Sequence, residues 1–320
     1  MNITRARQKV GLIGTGLVGA SFAYSLMQSG LANELVLIDA DHGRAEGEAM
    51  DLNHGLPFVG PMRIYAGEYA DLADADVIVI CAGANQRPGE TRLDLLKKNA
   101  QVFRDITPKI QSVNQHAILV IATNPVDILS YISATILGVD SGRVIGSGTV
   151  LDTARFRYLL GTHYGIDPRS VHAYIVGEHG DSELALWSTA NIGGVSLETF
   201  AGVNGQGYDA NALEHIFQQT RNAAYEIIQR KKATYYAIGL GLLSIVEAVL
   251  RDQHTVMTVS SPLQGQFAMR DMASSLPTIV GKHGIERVLD IPMNEQEQAA
   301  FVRSVTLLKQ NLAALDDQAS

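Results

Sequence analysis

Three glycines in the run Gly14-Thr15-Gly16-Leu17-Val18-Gly19 have the spacing of a turn that cradles a pyrophosphate. Such a turn works when a strand enters it and a helix leaves it, because phosphates then meet free N–H groups and the positive end of the helix dipole. The apolar run Lys9 to Ile13 precedes it, and helical spacing begins at Leu17. Gly14 permits the tight turn, Gly16 lets the backbone approach the phosphates, and Gly19 lets helix and strand pack closely. Asp39 ends the next apolar run, 20 residues after Gly19. An acid there hydrogen-bonds the adenosine ribose diol and repels a 2′-phosphate. The cofactor expected is therefore NAD, although nearby Arg44 would soften discrimination against NADP. Further along, Gly177-Glu178-His179-Gly180-Asp181 puts a histidine among glycines and acids, just after an apolar strand. Asp152 and Arg155, three apart, share one face of a helix. The segment from Ala82-Gly83 to Arg92, with Gln86 inside it, leaves a strand through Gly and Pro. It reads as a mobile loop at the carboxyl end of a sheet, where open α/β sheets bind ligands.

The elements that must position these residues alternate. Lys9 to Ile13, Glu34 to Ile38, Val77 to Cys81 and Ala117 to Ala122 are short β-branched runs, with helical spacing between them at Leu17 to Gly30 and Thr91 to Gln111. Continuous apolar strands separated by helices predict a parallel sheet covered on both faces. Arg143-Val144-Ile145 reads as its last strand. The second half mixes short strands (Val171 to Val176, Leu184 to Trp187, Thr255 to Ser260, Ser275 to Val280, Glu286 to Leu289) with a long helical stretch, Asp209 to Arg251, broken near Lys231-Lys232-Ala233. Asn294 is placed to cap a final helix running to Leu315. The fold class expected is α/β: a Rossmann-type doubly wound parallel sheet over residues 1–146, followed by a mixed α+β substrate domain over 147–320.

Composition narrows the partners. With 25 basic and 33 acidic residues the net charge is −8, which argues against nucleic acid or an anionic membrane. No stretch of about 20 apolar residues offers a membrane span, and the polar N-terminus has no secretory signature. A cytoplasmic protein is expected. The single cysteine, Cys81, sits in an apolar run and reads as a core thiol, so neither a disulfide nor a cysteine metal cluster is expected. A short-chain-type reductase would need Tyr-x-x-x-Lys, and none of the 11 tyrosines has lysine four residues on. No His-Glu-x-x-His or Gly-x-Ser-x-Gly supports a hydrolase.

Five motifs in order now carry a resemblance. They are the Gly14 turn, Ala82-Gly83 to Arg92, Thr123-Asn124-Pro125-Val126-Asp127, Leu151-Asp152-Thr153-Ala154-Arg155, and Gly177 to Asp181. From about Lys9 to the C-terminus the chain resembles bacterial-type L-lactate dehydrogenases of the lactate/malate dehydrogenase superfamily. The resemblance implies a cofactor site that includes Gly14, Gly16, Val18, Gly19, Asp39, Ala82, Gly83, Asn124 and Ile238. It makes His179 the proton donor and acceptor, a role suited to imidazole near neutral pH, and Asp152 the carboxylate that fixes its tautomer. Arg155 matches the bidentate grip on the substrate carboxylate, Arg92 the loop arginine that polarises the carbonyl, Asn124 a neighbour of that carbonyl, and Thr234 a pocket wall. Taken alone, Asp152 would be an ordinary helix-terminal acid, Arg155 a surface ion pair, and Thr234 and Ile238 helix packing.

Gln86 stands at the specificity position, three residues after Gly83. Malate enzymes carry arginine there to pair a second carboxylate, and a neutral glutamine would leave that charge buried without a partner. The resemblance therefore points to pyruvate and lactate. Malate stays open through the adjacent Arg87, a larger 2-hydroxy acid through the undetermined depth of the pocket, and a non-catalytic NAD-binding protein as a remoter reading. Arg157 and His172 match two phosphate-binding positions in relatives activated by fructose 1,6-bisphosphate, a site that lies between subunits of a homotetramer.

Overall fold

The computed structural model describes residues 8–84, 91–138 and 142–316. Six parallel strands build the first half: β1 (Lys9–Ile13), β2 (Glu34–Ile38), β3 (Arg63–Ala66), β4 (Val77–Ile80), β5 (Ile118–Ile121) and β6 (Val144–Gly146). Every residue of β1, β2, β4 and β5 is buried, as expected of strands with helices on both faces. The helices are α1 (Leu17–Ser29), α2 (His42–Gly55), α3 (Arg92–Val113) and α4 (Val126–Leu137). α1 stops at Gly30, which takes the left-handed conformation that glycine adopts cheaply. The edge strand β3 and helix α2 escape notice in the sequence for one reason. Each buries little: Ile64 alone is fully buried in β3, and α2 buries only Ala45, Ala49 and Leu52.

The strand order is β3-β2-β1-β4-β5-β6, so the winding reverses between β1 and β4. The carboxyl ends at such a reversal open a crevice. After β6 come α5 (Val150–Tyr164), the short strands β7 (Val171–His172), β8 (Ile175–Val176), β9 (Leu184–Ala185), β10 (Asn191–Ile192) and β11 (Val195–Ser196), and helices α6 (Ala210–Lys231) and α7 (Tyr236–Leu250). The strand expected over Val171 to Val176 is broken, its first part pairing with β10 and its last with β9. The break in the long helical stretch falls at Lys232, whose φ is +72°.

Strands β12 (Thr255–Gln264), β13 (Arg270–Gly281) and β14 (Gly284–Val288) then form an antiparallel meander, and α8 (Glu295–Asp316) closes the chain. The meander extends the first half's sheet: β12 lies beside β6 through Ser260 opposite Gly146, making nine strands in all. α8 begins as anticipated, with the Glu297 N–H donating to Asn294 Oδ1 at 2.9 Å and the Asn294 N–H to Glu297 Oε2 at 3.0 Å. No helix among the described residues is long and apolar enough to cross a membrane.

Candidate active site

A cleft of about 1250 Å³ opens at the β1/β4 reversal. Gly14, Gly16, Val18, Asp39, Ala82 and Gly83 are on its wall, and Asn124 and Thr234 line it as well. Gly14 has φ +95°, and a Cβ there would fall 2.3 Å from the Ala82 nitrogen. A Cβ on Gly19 would fall 2.1 Å from the Gly14 carbonyl oxygen. Both positions are closed to any other residue by the protein itself. Gly16 differs: a Cβ there would meet no protein atom within 4 Å. Its bareness serves whatever lies in the cleft, which is the fit a dinucleotide pyrophosphate requires at the start of α1.

Asp39 is pinned beside this turn. The Thr15 N–H and hydroxyl donate to its Oδ2 at 2.7 and 2.9 Å, and the Asp41 N–H to its Oδ1 at 3.0 Å. Burial works against its charge, but these bonds and the nearby Arg44 guanidinium hold the carboxyl below its usual range. An ionised acid at the cleft wall suits a ribose diol and opposes a phosphate. Cys81 is half-buried, packed against the core and at the same time lining this wall, and burial pushes its thiol up to about 12. Ile238 is not among the cleft-lining residues; it packs, like Val150, against the hydrophobic core.

The second group of residues converges on Asp152, in the first turn of α5 and 3% exposed. Its Oδ2 lies 2.6 Å from His179 Nδ1, and its Oδ1 accepts from Arg155 Nη1 at 2.8 Å. One carboxylate thus holds the imidazole with one oxygen and the guanidinium with the other. Nδ1 is committed, so proton exchange with a ligand falls to Nε2. Burial of the ring works against its charge, but Asp152, with Asp127 and Glu183 behind it, outweighs that and raises His179 to about 9. Burial likewise opposes ionisation of Asp152, yet the His179 and Arg155 charges keep its carboxyl low.

The loop that carries His179 is held from three sides. Gly177 pairs with Ser275 of β13 through bonds of 2.9 and 3.0 Å. The Glu178 N–H donates to Ser304 Oγ of α8 at 2.9 Å. The His179 N–H donates to Asp127 Oδ2 at 2.8 Å, while Ser260 Oγ of β12 donates to Asp127 Oδ1 at 2.6 Å. Burial pushes the Asp127 carboxyl up to about 6 against the pull of those two bonds. Asp127 is three residues past Asn124, so α4 ties the cofactor cleft to the histidine. In the sequence Asp127 stands out only as the last residue of the motif Thr123 to Asp127, with no role attached, and Glu183 lies outside every motif. The available signal was a lone acid in an apolar context, Val126-Asp127-Ile128-Leu129 and Glu183-Leu184-Ala185-Leu186.

Gln86 lies outside the described residues, and Arg92 is located only as the first residue of α3. Arg157 and His172 sit on neighbouring elements. Arg157 Nε donates to the Ala173 carbonyl at 2.9 Å and its guanidinium lies 5.0 Å from the centre of the Tyr174 ring, while His172 is exposed on β7.

Comparison with known proteins decides the family. The NAD binding domain of lactate/malate dehydrogenase matches residues 8–146, and the alpha/beta C-terminal domain of the same family matches residues 149–318. The chain belongs to the lactate/malate dehydrogenase family. Within it, the chain is 51% identical over 308 residues to an L-lactate dehydrogenase of Thermoanaerobacter sp. (strain X514), covering 96% of this chain and 99% of that one. It is 50% identical to the L-lactate dehydrogenase of Priestia megaterium, covering 96% of each. The minor L-lactate dehydrogenase of Enterococcus mundtii in its ligands-bound form superposes with a TM-score of 0.92 at 42% identity, covering 96% of this chain and 98% of that one. As in this dehydrogenase family generally, the first half is an NAD-binding domain.

Proposed function

We propose that this dehydrogenase reduces pyruvate to L-lactate reversibly, with His179 as the acid/base. The observation that carries the reading is the Asp152 carboxylate shared between His179 and Arg155. It joins a proton donor to an anion grip within one hydrogen-bonded unit. NADH, when bound, would supply the hydride, and the oxidised cofactor would accept it in the reverse direction.

The chain's own residues do the rest. Gly14, Gly16 and the start of α1 hold the pyrophosphate, and Asp39 holds the adenosine ribose. Arg155 spends Nη1 on Asp152, which leaves the remaining N–H groups of its fork for the substrate carboxylate. His179, charged at neutral pH, attracts the oxo acid and gives its Nε2 proton to the carbonyl oxygen. Asp152 stabilises the imidazolium throughout and fixes which nitrogen faces the substrate. Asn124 and Arg92 complete the polar surroundings of the carbonyl.

The choice of a monocarboxylic acid is supported by neutral Gln86 and by the L-lactate dehydrogenases among the relatives. A cytoplasmic homotetramer activated by fructose 1,6-bisphosphate fits the same reading, with Arg157 and His172 as phosphate ligands. NADH oxidation against a panel of 2-oxo acids, with and without that sugar bisphosphate, tests it. Pyruvate is expected to give the highest kcat/KM, and the bisphosphate to lower its KM. Faster turnover of oxaloacetate than of pyruvate would overturn the substrate assignment, and no response to the bisphosphate between pH 5.5 and 7 would remove the regulatory one.

A further inference from the structure

Glu183 stands four residues beyond His179, immediately before β9, and is 6% exposed. Its Oε1 is buried with no hydrogen-bond partner among the described residues. Ligand-capable atoms of Glu183, His179 and Asp152 all lie within 4.8 Å of one another. The charged groups facing it come from three places: Asp152 and Arg155 on α5, His179 on its own loop, and Arg221 on α6.

A carboxylate placed there would be anionic, out of water, with one oxygen unsatisfied and another carboxylate alongside. Each condition penalises the charged form. Burial first, then the charge of Asp152, push the group up to about 8 against the pull of the three cations. Around neutral pH the side chain is therefore a neutral acid.

We propose, building on the pyruvate reading above, that Glu183 must stay protonated for the oxo acid to bind, so that its ionisation helps set the alkaline limit of the enzyme. The argument is one of charge. With Glu183 neutral, the groups around it carry one anion, Asp152, and three cations, Arg155, Arg221 and protonated His179. The substrate arrives as a carboxylate and docks on Arg155, which already serves Asp152. An ionised Glu183 adds a second resident anion that competes for Arg155 and repels the incoming carboxylate. The same anion keeps His179 protonated to higher pH, so the loss at alkaline pH is read in substrate binding rather than in the supply of the proton. Glu183 is thus a specificity and positioning residue that acts through Arg155 and His179.

The test compares wild type with Glu183→Gln and Glu183→Asp at saturating NADH between pH 6 and 10. It records KM and kcat for pyruvate, and the affinity of the enzyme–NADH complex for oxamate, an unreactive analogue. Two protons, those of Glu183 and His179, must be in place in the wild type, so its pyruvate and oxamate affinities are expected to fall with a limiting slope of two per pH unit. Glu183→Gln keeps a single proton dependence, and its KM should rise about tenfold less than wild type from pH 7 to 9.5. Glu183→Asp should restore the two-proton fall. A one-proton slope for oxamate in the wild type, readable without any variant, overturns the proposal. So does a two-proton slope that survives in Glu183→Gln. A wild-type enzyme that does not turn over pyruvate at any pH fails the functional reading itself, and this inference with it.

Discussion

At the residue scale, the site rests on one buried carboxylate with two duties. Asp152 shows no sign of redundancy: each oxygen is taken, one by a ring nitrogen and the other by a guanidinium. Replacing His179 with Asn removes the imidazole to which we assign proton delivery. The expected result is a fall in kcat of about a hundredfold or more, with NADH affinity retained, because the cofactor turn lies on other elements. Steady-state kinetics and NADH fluorescence titration measure the two halves of that statement, and near-normal turnover would remove His179 from its role. Much of this was legible in the sequence. The glycine turn and Asp39 announce themselves by type and spacing, whereas Asp152, Arg155 and His179 stand out only through the resemblance to the family. Asp127 and Glu183 do neither, because a lone acid in an apolar run carries no spacing signature; only the fold reveals that each is buried against the histidine.

At the scale of elements, the histidine loop is fixed by neighbours far away in the chain. Ser304 of α8, 1% exposed, accepts the Glu178 N–H and shares a 2.9 Å contact with the Ser182 hydroxyl. Ser304→Ala would leave the Glu178 N–H without its partner in a part-buried place. The cost should be about 1–3 kcal/mol of stability, visible in denaturant unfolding. A several-fold loss in kcat should accompany it, with an unchanged KM for NADH, since the loop moves but the cofactor turn does not. Unaltered kinetics would mean that Gly177–Ser275 and His179–Asp127 suffice to hold the loop. Element types were readable where burial is heavy, as in β1, β2, β4 and β5. They were missed where it is light, as in α2 and β3, and misdrawn at Val171 to Val176. That apolar run looks continuous because hydrophobicity marks burial, whereas the break between β7 and β8 reflects which strand each part finds as a partner.

At the scale of the whole molecule, the nine-stranded sheet joins what the family matches divide. β6 ends the parallel part, and β12 covers its flank through the Ser260–Gly146 pair. Nothing in a one-dimensional reading reveals that partnership, since the paired residues are more than a hundred positions apart and both strands are short or unremarkable in composition. Its consequence concerns autonomy. A polypeptide ending at Gly146 would carry every residue of the nucleotide turn, yet its last strand would present a bare row of N–H and C=O groups to solvent, an invitation to pair with another copy. Residues 1–146 expressed alone should therefore aggregate, or associate through that flank, as light scattering would show, while the intact chain remains dispersed. A well-behaved monomeric fragment that binds NADH would show instead that the meander merely leans on a self-sufficient half. On the present geometry the enzyme is indivisible: recombining its halves between relatives should succeed only when β6 and β12 are exchanged together.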